Sequence, residues 1–81
     1  MKGPKIIESY QVPKGNVSPD IFKLPCVIGA TKLSDGNTEY TCAIDLSYEY
    51  ANVGDYICKS DDNRWFTLSA EEYHEFNLND L

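Results

Sequence analysis

The sequence predicts a small α+β fold: one antiparallel sheet of about four or five strands, built largely from two hairpins, with a short C-terminal helix. Three observations carry this. Runs rich in β-branched and aromatic residues recur at 5–12, 26–33, 39–46, 56–59 and 64–68. Turn-forming sequences, Ser34-Asp35-Gly36-Asn37 and Ser60-Asp61-Asp62-Asn63, join four of these runs in pairs. Ser69, with Glu72 three residues on, has the spacing of a capping box at a helix start. With 81 residues, 42% hydrophobic and 25% charged, the chain has the composition of a globular protein and room for one core, so residues 1–81 are read as a single domain.

Each element has its own warrant. In 5–12 an alternating pattern puts Ile6, Tyr10 and Val12 on one face, interrupted by Glu8, and Ile7, Ser9 and Gln11 on the other. Ser18-Pro19-Asp20 offers a helix start, with Ser as N-cap and Pro at the first position, and Pro25 limits that helix to one or two turns. Ile21, Phe22 and Leu24 are expected to plug one end of the sheet. If Asp35-Gly36 is a two-residue loop, Lys32 faces Glu39, and Val27, Gly29 and Thr31 share a core face with Tyr40, Cys42, Ile44 and Leu46. The segment 47–52 reads equally as strand or loop. Val53-Gly54-Asp55 turns the chain into the run starting at Tyr56. The helix from Ser69 to Phe76 buries Ala70, Tyr73 and Phe76, and 77–81 are expected to trail off.

The net charge is −6, and its partition says more than its sum. Residues 1–45 hold five Lys and five acids, whereas residues 46–81 hold Lys59 and Arg64 against eight acids. Such a chain is poorly suited to binding phosphates directly, which excludes nucleic acid as the expected partner. An acidic face is suited to a basic partner. No apolar run reaches membrane-spanning length, and Met1-Lys2-Gly3-Pro4 lacks the apolar core of a signal peptide, so a cytoplasmic protein without membrane contact is expected.

Reactive chemistry finds little support. Cys26, Cys42, Cys58 and His74 lie sixteen residues apart throughout, a possible zinc set by residue type. No Cys-x-x-Cys pair occurs, and the two-residue hairpin loop would place Cys26 and Cys42 on opposite faces. Buried free thiols and no metal or cofactor are the expectation. His74 lacks a recognisable nucleophile or oxyanion hole, Asp61-Asp62-Asn63 reads as a polar turn, and no phosphate-binding glycine loop is present, so an enzyme is not expected. Binding remains. Tyr48, Glu49, Tyr50 and Asp55, together with Asp61, Asp62, Glu71, Glu72 and Glu75, are the candidate contact residues: tyrosines supply a rigid apolar body with a polar tip, and acids supply complementarity.

Val53-Gly54-Asp55-Tyr56-Ile57, followed by Trp65-Phe66-Thr67-Leu68-Ser69-Ala70-Glu71-Glu72-Tyr73, resembles a family of small bacteriophage and prophage proteins of unknown function. Their signature is Pro-Gly-Asp-Tyr or similar, continued by a turn, an aromatic strand and a Ser-x-Glu-x-(Phe or Tyr) helix. Lys5 to Gln11 looks like the family's opening strand, while Val53 stands where proline is usual and the middle helix of typical members is shortened or absent. The resemblance implies a phage setting and an α+β fold, and brings no catalytic residues. Together with the charge partition it leads to an expected small acidic phage-type protein that inhibits a host or anti-phage defence protein through its acidic C-terminal surface. The alternatives are a protein that sequesters a small molecule or nucleotide, and an accessory virion component.

Overall fold

The computed structural model describes residues 5–79. The elements are β1 (Ile6–Gln11), α1 (Pro19–Phe22), β2 (Val27–Lys32), β3 (Thr38–Ile44), β4 (Ser47–Ala51), β5 (Tyr56–Ser60), β6 (Trp65–Leu68) and α2 (Ala70–Asn79). The α+β class holds, but the expected single sheet of four or five strands is corrected to two three-stranded antiparallel sheets, ordered β1-β5-β6 and β2-β3-β4. The sixth strand is the ambiguous segment. Asp45 takes a positive φ of 53° in the two-residue loop between Ile44 and Ser47, so the chain reverses and β4 pairs back along β3.

Cross-strand register fixes which way each sheet faces. Tyr40, Cys42 and Ile44 of β3 and Ala51 of β4 are buried with Val12, Ile21, Leu24, Val27 and Ile57 in one core between the sheets. Tyr10 and Trp65, stacked at 6.4 Å, pack against that core from the first sheet. The opposite face of this sheet carries Ser9, Cys58, Phe66 and Tyr56, and α2 covers it. Tyr73 stacks on Tyr56 at 3.8 Å with rings 7° apart, and its hydroxyl lies 2.9 Å from that of Ser9. Phe76 meets Phe66 at 6.3 Å. The molecule is thus layered sheet, sheet, helix. Glu8, an interruption in the sequence pattern, is used where it sits: it accepts the Tyr10 hydroxyl and pairs with Lys59.

The β2–β3 hairpin departs from the expected register by one residue. Leu33 and Asn37 close a three-residue loop, Ser34-Asp35-Gly36, with Gly36 at φ 88° and its N–H donated to the Leu33 carbonyl. This is the type I turn with a glycine bulge, the usual alternative to a two-residue loop. Lys32 therefore opposes Thr38, and Glu39 opposes Thr31. A second irregularity between Val27 and Gly29 turns Gly29 outward against Thr41 and leaves Ala30 opposite Tyr40. Gly29 and Thr31 are consequently not core residues. Leu46, expected in the core, is 104% exposed at the tip of the β3–β4 loop. Cys26 and Cys42, expected on opposite faces, both join the core cluster.

The long β1–β2 connection is held by β3. The Tyr40 hydroxyl, wholly buried, accepts the Ser18 N–H at 2.7 Å; Thr38 donates to the Gly15 carbonyl at 2.8 Å; and the Asn37 side chain accepts the Gly15 N–H at 2.9 Å. Ser18 makes no side-chain cap on α1. Of the three expected end-plugs, Ile21 and Leu24 are buried while Phe22 is exposed. The capping box of α2 is formed as expected, with the Glu72 N–H donated to Ser69 Oγ at 3.0 Å and the Ser69 N–H to the Glu72 carboxylate at 2.8 Å. The helix continues beyond Phe76 to Asn79. Asp80 and Leu81 of the expected trailing segment, and residues 1–4, lie outside the described residues.

Tyr40→Phe removes the acceptor for the Ser18 N–H and is expected to lower unfolding stability by about 1 kcal/mol or more, measured by urea denaturation; an unchanged midpoint would show that the bond is dispensable. A Cβ at Gly36 meets nothing within 4 Å, so Gly36→Ala isolates the conformational cost of its positive φ. About 1 kcal/mol of destabilisation is expected in the same assay.

Candidate functional site

The sequence-predicted contact residues do not form one surface. Tyr48 and Tyr50, 63% and 58% exposed, stand on the outer face of the β2-β3-β4 sheet opposite Ala43 and Thr41. Glu49, between them, points inward by strand alternation and accepts the Thr67 hydroxyl, tying β4 to β6. Asp55 accepts the Asn52 N–H at 2.9 Å within the turn that Gly54 makes possible at φ 91°. Glu72 is engaged in the capping box. Three of the candidate acids therefore have structural duties.

The remaining acids lie in the β5–β6 turn, Asp61 and Asp62, and on α2, Glu71 and Glu75. Asp62 accepts the Ser60 hydroxyl and lies 3.7 Å from Arg64 Nε. The Ser60 hydrogen bond, aided by the Arg64 backbone and charge, holds its carboxyl below the usual carboxylate value. The stability this confers is present at neutral pH and is lost as pH falls through the lowered value. Asp61 in the same turn and Glu71 and Glu75 on α2 are exposed, with no hydrogen bond or ion pair from their side chains among the described residues. The two cations of this half are both engaged, Lys59 with Glu8 at 3.9 Å and Arg64 with Asp62. Glu71 and Glu75 thus have no cation paired with them among the described residues, while Lys5 stands beside Asp61, its carbonyl accepting the Asp61 N–H at 2.8 Å.

Sequence reasoning missed a cleft of about 250 Å³ at the end of the molecule where the β3–β4 loop, the β5–β6 turn and α2 meet. Ile44, Trp65, Phe66 and Phe76 supply its apolar lining, and Asp45, Ser60, Asp62 and Arg64 its polar part. These residues are scattered from 44 to 76 in the chain, and no local motif marks them. The one sequence signal was the aromatic pair Trp65-Phe66, whose alternation serves two layers at once.

The cysteines are buried and free. Cys26 and Cys42 act on each other: hydrogen bonding from Cys42 holds the Cys26 thiol below its ordinary value. The same contact, burial and nearby Glu49 push Cys42 far up. Cys58, under α2, is pushed up to about 11 by burial. Among the described residues no group of three or more His, Cys, Asp or Glu is placed to hold a metal ion, and His74 is exposed on α2. No helix among them is long and apolar enough to cross a membrane.

No protein-family model matches the chain, and neither a curated protein nor a solved structure is significantly similar to it.

Cys58 yields a pH signature. Burial pushes its thiol up from the ordinary 9.0 to about 11, so its contribution to stability is complete below pH 9 and is lost as pH rises toward 11. The loss is on the order of 2 kcal/mol. Urea denaturation of wild type and Cys58→Ala across that window checks this: the variant should be weaker at neutral pH but should show a shallower alkaline decline. Parallel declines would sink the assignment.

Proposed function

We propose that the chain is a small acidic binding protein of phage type, which inhibits a host or anti-phage defence protein by covering a basic surface. The observation that supports this best is the local charge balance on the α2 side. Glu71 and Glu75 project there, while Lys59 and Arg64 are already paired with Glu8 and Asp62. A field of one sign steers a basic partner into contact and sets orientation more than it sets raw affinity. The contact surface is narrower than the sequence implied. Tyr48 and Tyr50 lie beyond two intervening layers from α2, so one flat partner surface cannot engage both groups. Glu49, Asp55 and Glu72 serve the fold.

The phage setting comes from the resemblance around Gly54 to Tyr73. Sequestration of a small molecule is the second reading, favoured by the cleft. Its net negative lining makes a phosphate-bearing nucleotide the poorer occupant.

Capture of partners by the tagged chain from host lysate, at low and high salt, tests the reading. Glu71→Lys with Glu75→Lys leaves the capping box intact and reverses two exposed charges. Capture of the salt-released partner should weaken about tenfold, since exposed pairs are worth up to ~1 kcal/mol each. Its salt dependence should also flatten. Unchanged strength and salt dependence would overturn the acidic-surface mechanism.

A further inference from the structure

The cleft at the β5–β6 end combines an aromatic lining with two carboxylates and one cation. Phe66 and Phe76 face each other at 6.3 Å, and Trp65, the sole tryptophan, joins them in the lining. Within the lining Asp45 and Asp62 are opposed by Arg64, and Lys59, outside the lining, holds its ammonium 5.8 Å from the centre of the Trp65 ring. Arg64 serves Asp62, while among the described residues Asp45 makes no side-chain hydrogen bond or ion pair.

The chemistry of the occupant follows by elimination. An anion meets a net negative lining and a chain of charge −6, so it is repelled. A wholly apolar guest would strip water from Asp45 without offering it a donor, which is costly for a carboxylate. An occupant needs positive charge, donors and a flat face for aromatic rings. An ammonium group is compact and strongly hydrated, whereas a guanidinium is planar, weakly hydrated, stacks on aromatic rings and matches a carboxylate with a fork of donors. The volume, about 250 Å³, is below the range of drug-sized pockets, roughly 300 to 1,000 Å³, and suits one side chain.

We propose that this cleft binds a guanidinium group, with Asp45 as its charge partner and Phe66 and Phe76 as its aromatic walls. The group arrives on an arginine side chain of a partner or on a small free guanidine. Arg64 is the internal counter-charge of the lining, and it opposes an incoming cation. The inference goes beyond the α2 surface and does not depend on it: Glu71 and Glu75 are outside the lining.

The test is titration of the full chain with N-acetylarginine amide, read by the fluorescence of Trp65. N-acetylglutamine amide is the neutral control. A saturable change with the arginine compound and none with the control is expected. Asp45→Asn should weaken binding about tenfold or more by removing a charge-assisted hydrogen bond, and asparagine tolerates the positive φ at this position. Arg64→Ala should tighten binding, an effect that general loss of structure does not produce. Agmatine and an arginine-containing peptide separate the sources: tighter binding of the peptide assigns the site to a partner's side chain, and tighter binding of agmatine to a free guanidine. The proposal is overturned by no saturable change, by an equal response to the neutral control, or by wild-type affinity in Asp45→Asn. The Glu71→Lys, Glu75→Lys chain should titrate like wild type, so loss of partner capture and loss of cleft binding are separate results.

Discussion

Tyr40 sits at 0% exposure in the central strand of the β2-β3-β4 sheet, and its hydroxyl holds the backbone of Ser18. Between β1 and β2 the chain runs fifteen residues, from Val12 to Cys26, with only the four-residue α1 as regular structure. Such a segment carries backbone donors and acceptors that need partners before it can lie against a core. Tyr40, with Thr38 and Asn37 beside it, supplies three of them. Only then can Val12, Ile21 and Leu24 close the core between two sheets that share no backbone ladder.

The first sheet is the middle layer and must satisfy both neighbours. Its inward face meets the core through Tyr10, Ile57 and Trp65, and its outward face meets α2 through Tyr56, Cys58 and Phe66. Alternation along β6 makes this possible, because successive side chains in a strand point to opposite faces. The helix is attached by aromatic contacts more than by a broad apolar stripe: Tyr73 and Phe76 are half-buried while Ala70 is exposed. That economy leaves the polar surface of α2 in water, where the acids lie.

This layering also separates surfaces. Tyrosines 48 and 50 look away from the second sheet, the acids of α2 look away from the first, and the cleft opens where the β3–β4 loop and the β5–β6 turn come together at one end. The acid-rich stretch from 46 onward is therefore distributed among a sheet bridge, a turn, a helix cap, a cleft rim and an open helix face. A single charge total conceals these different environments, in which some carboxylates are committed to the fold and others remain available.

The local grammar of the chain was legible. Strand alternation in 8–11, the β5–β6 hairpin, the capping box at Ser69 and the turn at Gly54 all depend on residues within a few positions of one another, and they form as read, whereas a register shift between Ile6 and Glu8 sets Ile6 opposite Ser60 and breaks the alternation expected from Ile6 to Tyr10. The hairpin at Asp35-Gly36 shows where local reading stops. Both two- and three-residue loops accept that sequence, and the choice of the longer one moved every cross-strand pair by one. The bulge after Val27 and the positive φ of Asp45 then brought Cys26 beside Cys42, exposed Leu46 and made a sixth strand. The sequence by itself determined the class of fold, the acidic character and the caps, because those arise from composition and from neighbours along the chain. Tertiary structure alone decided that there are two sheets, which tyrosines face water, and that Asp45 and Phe76 share a cleft, because contacts between residues thirty positions apart are set by packing.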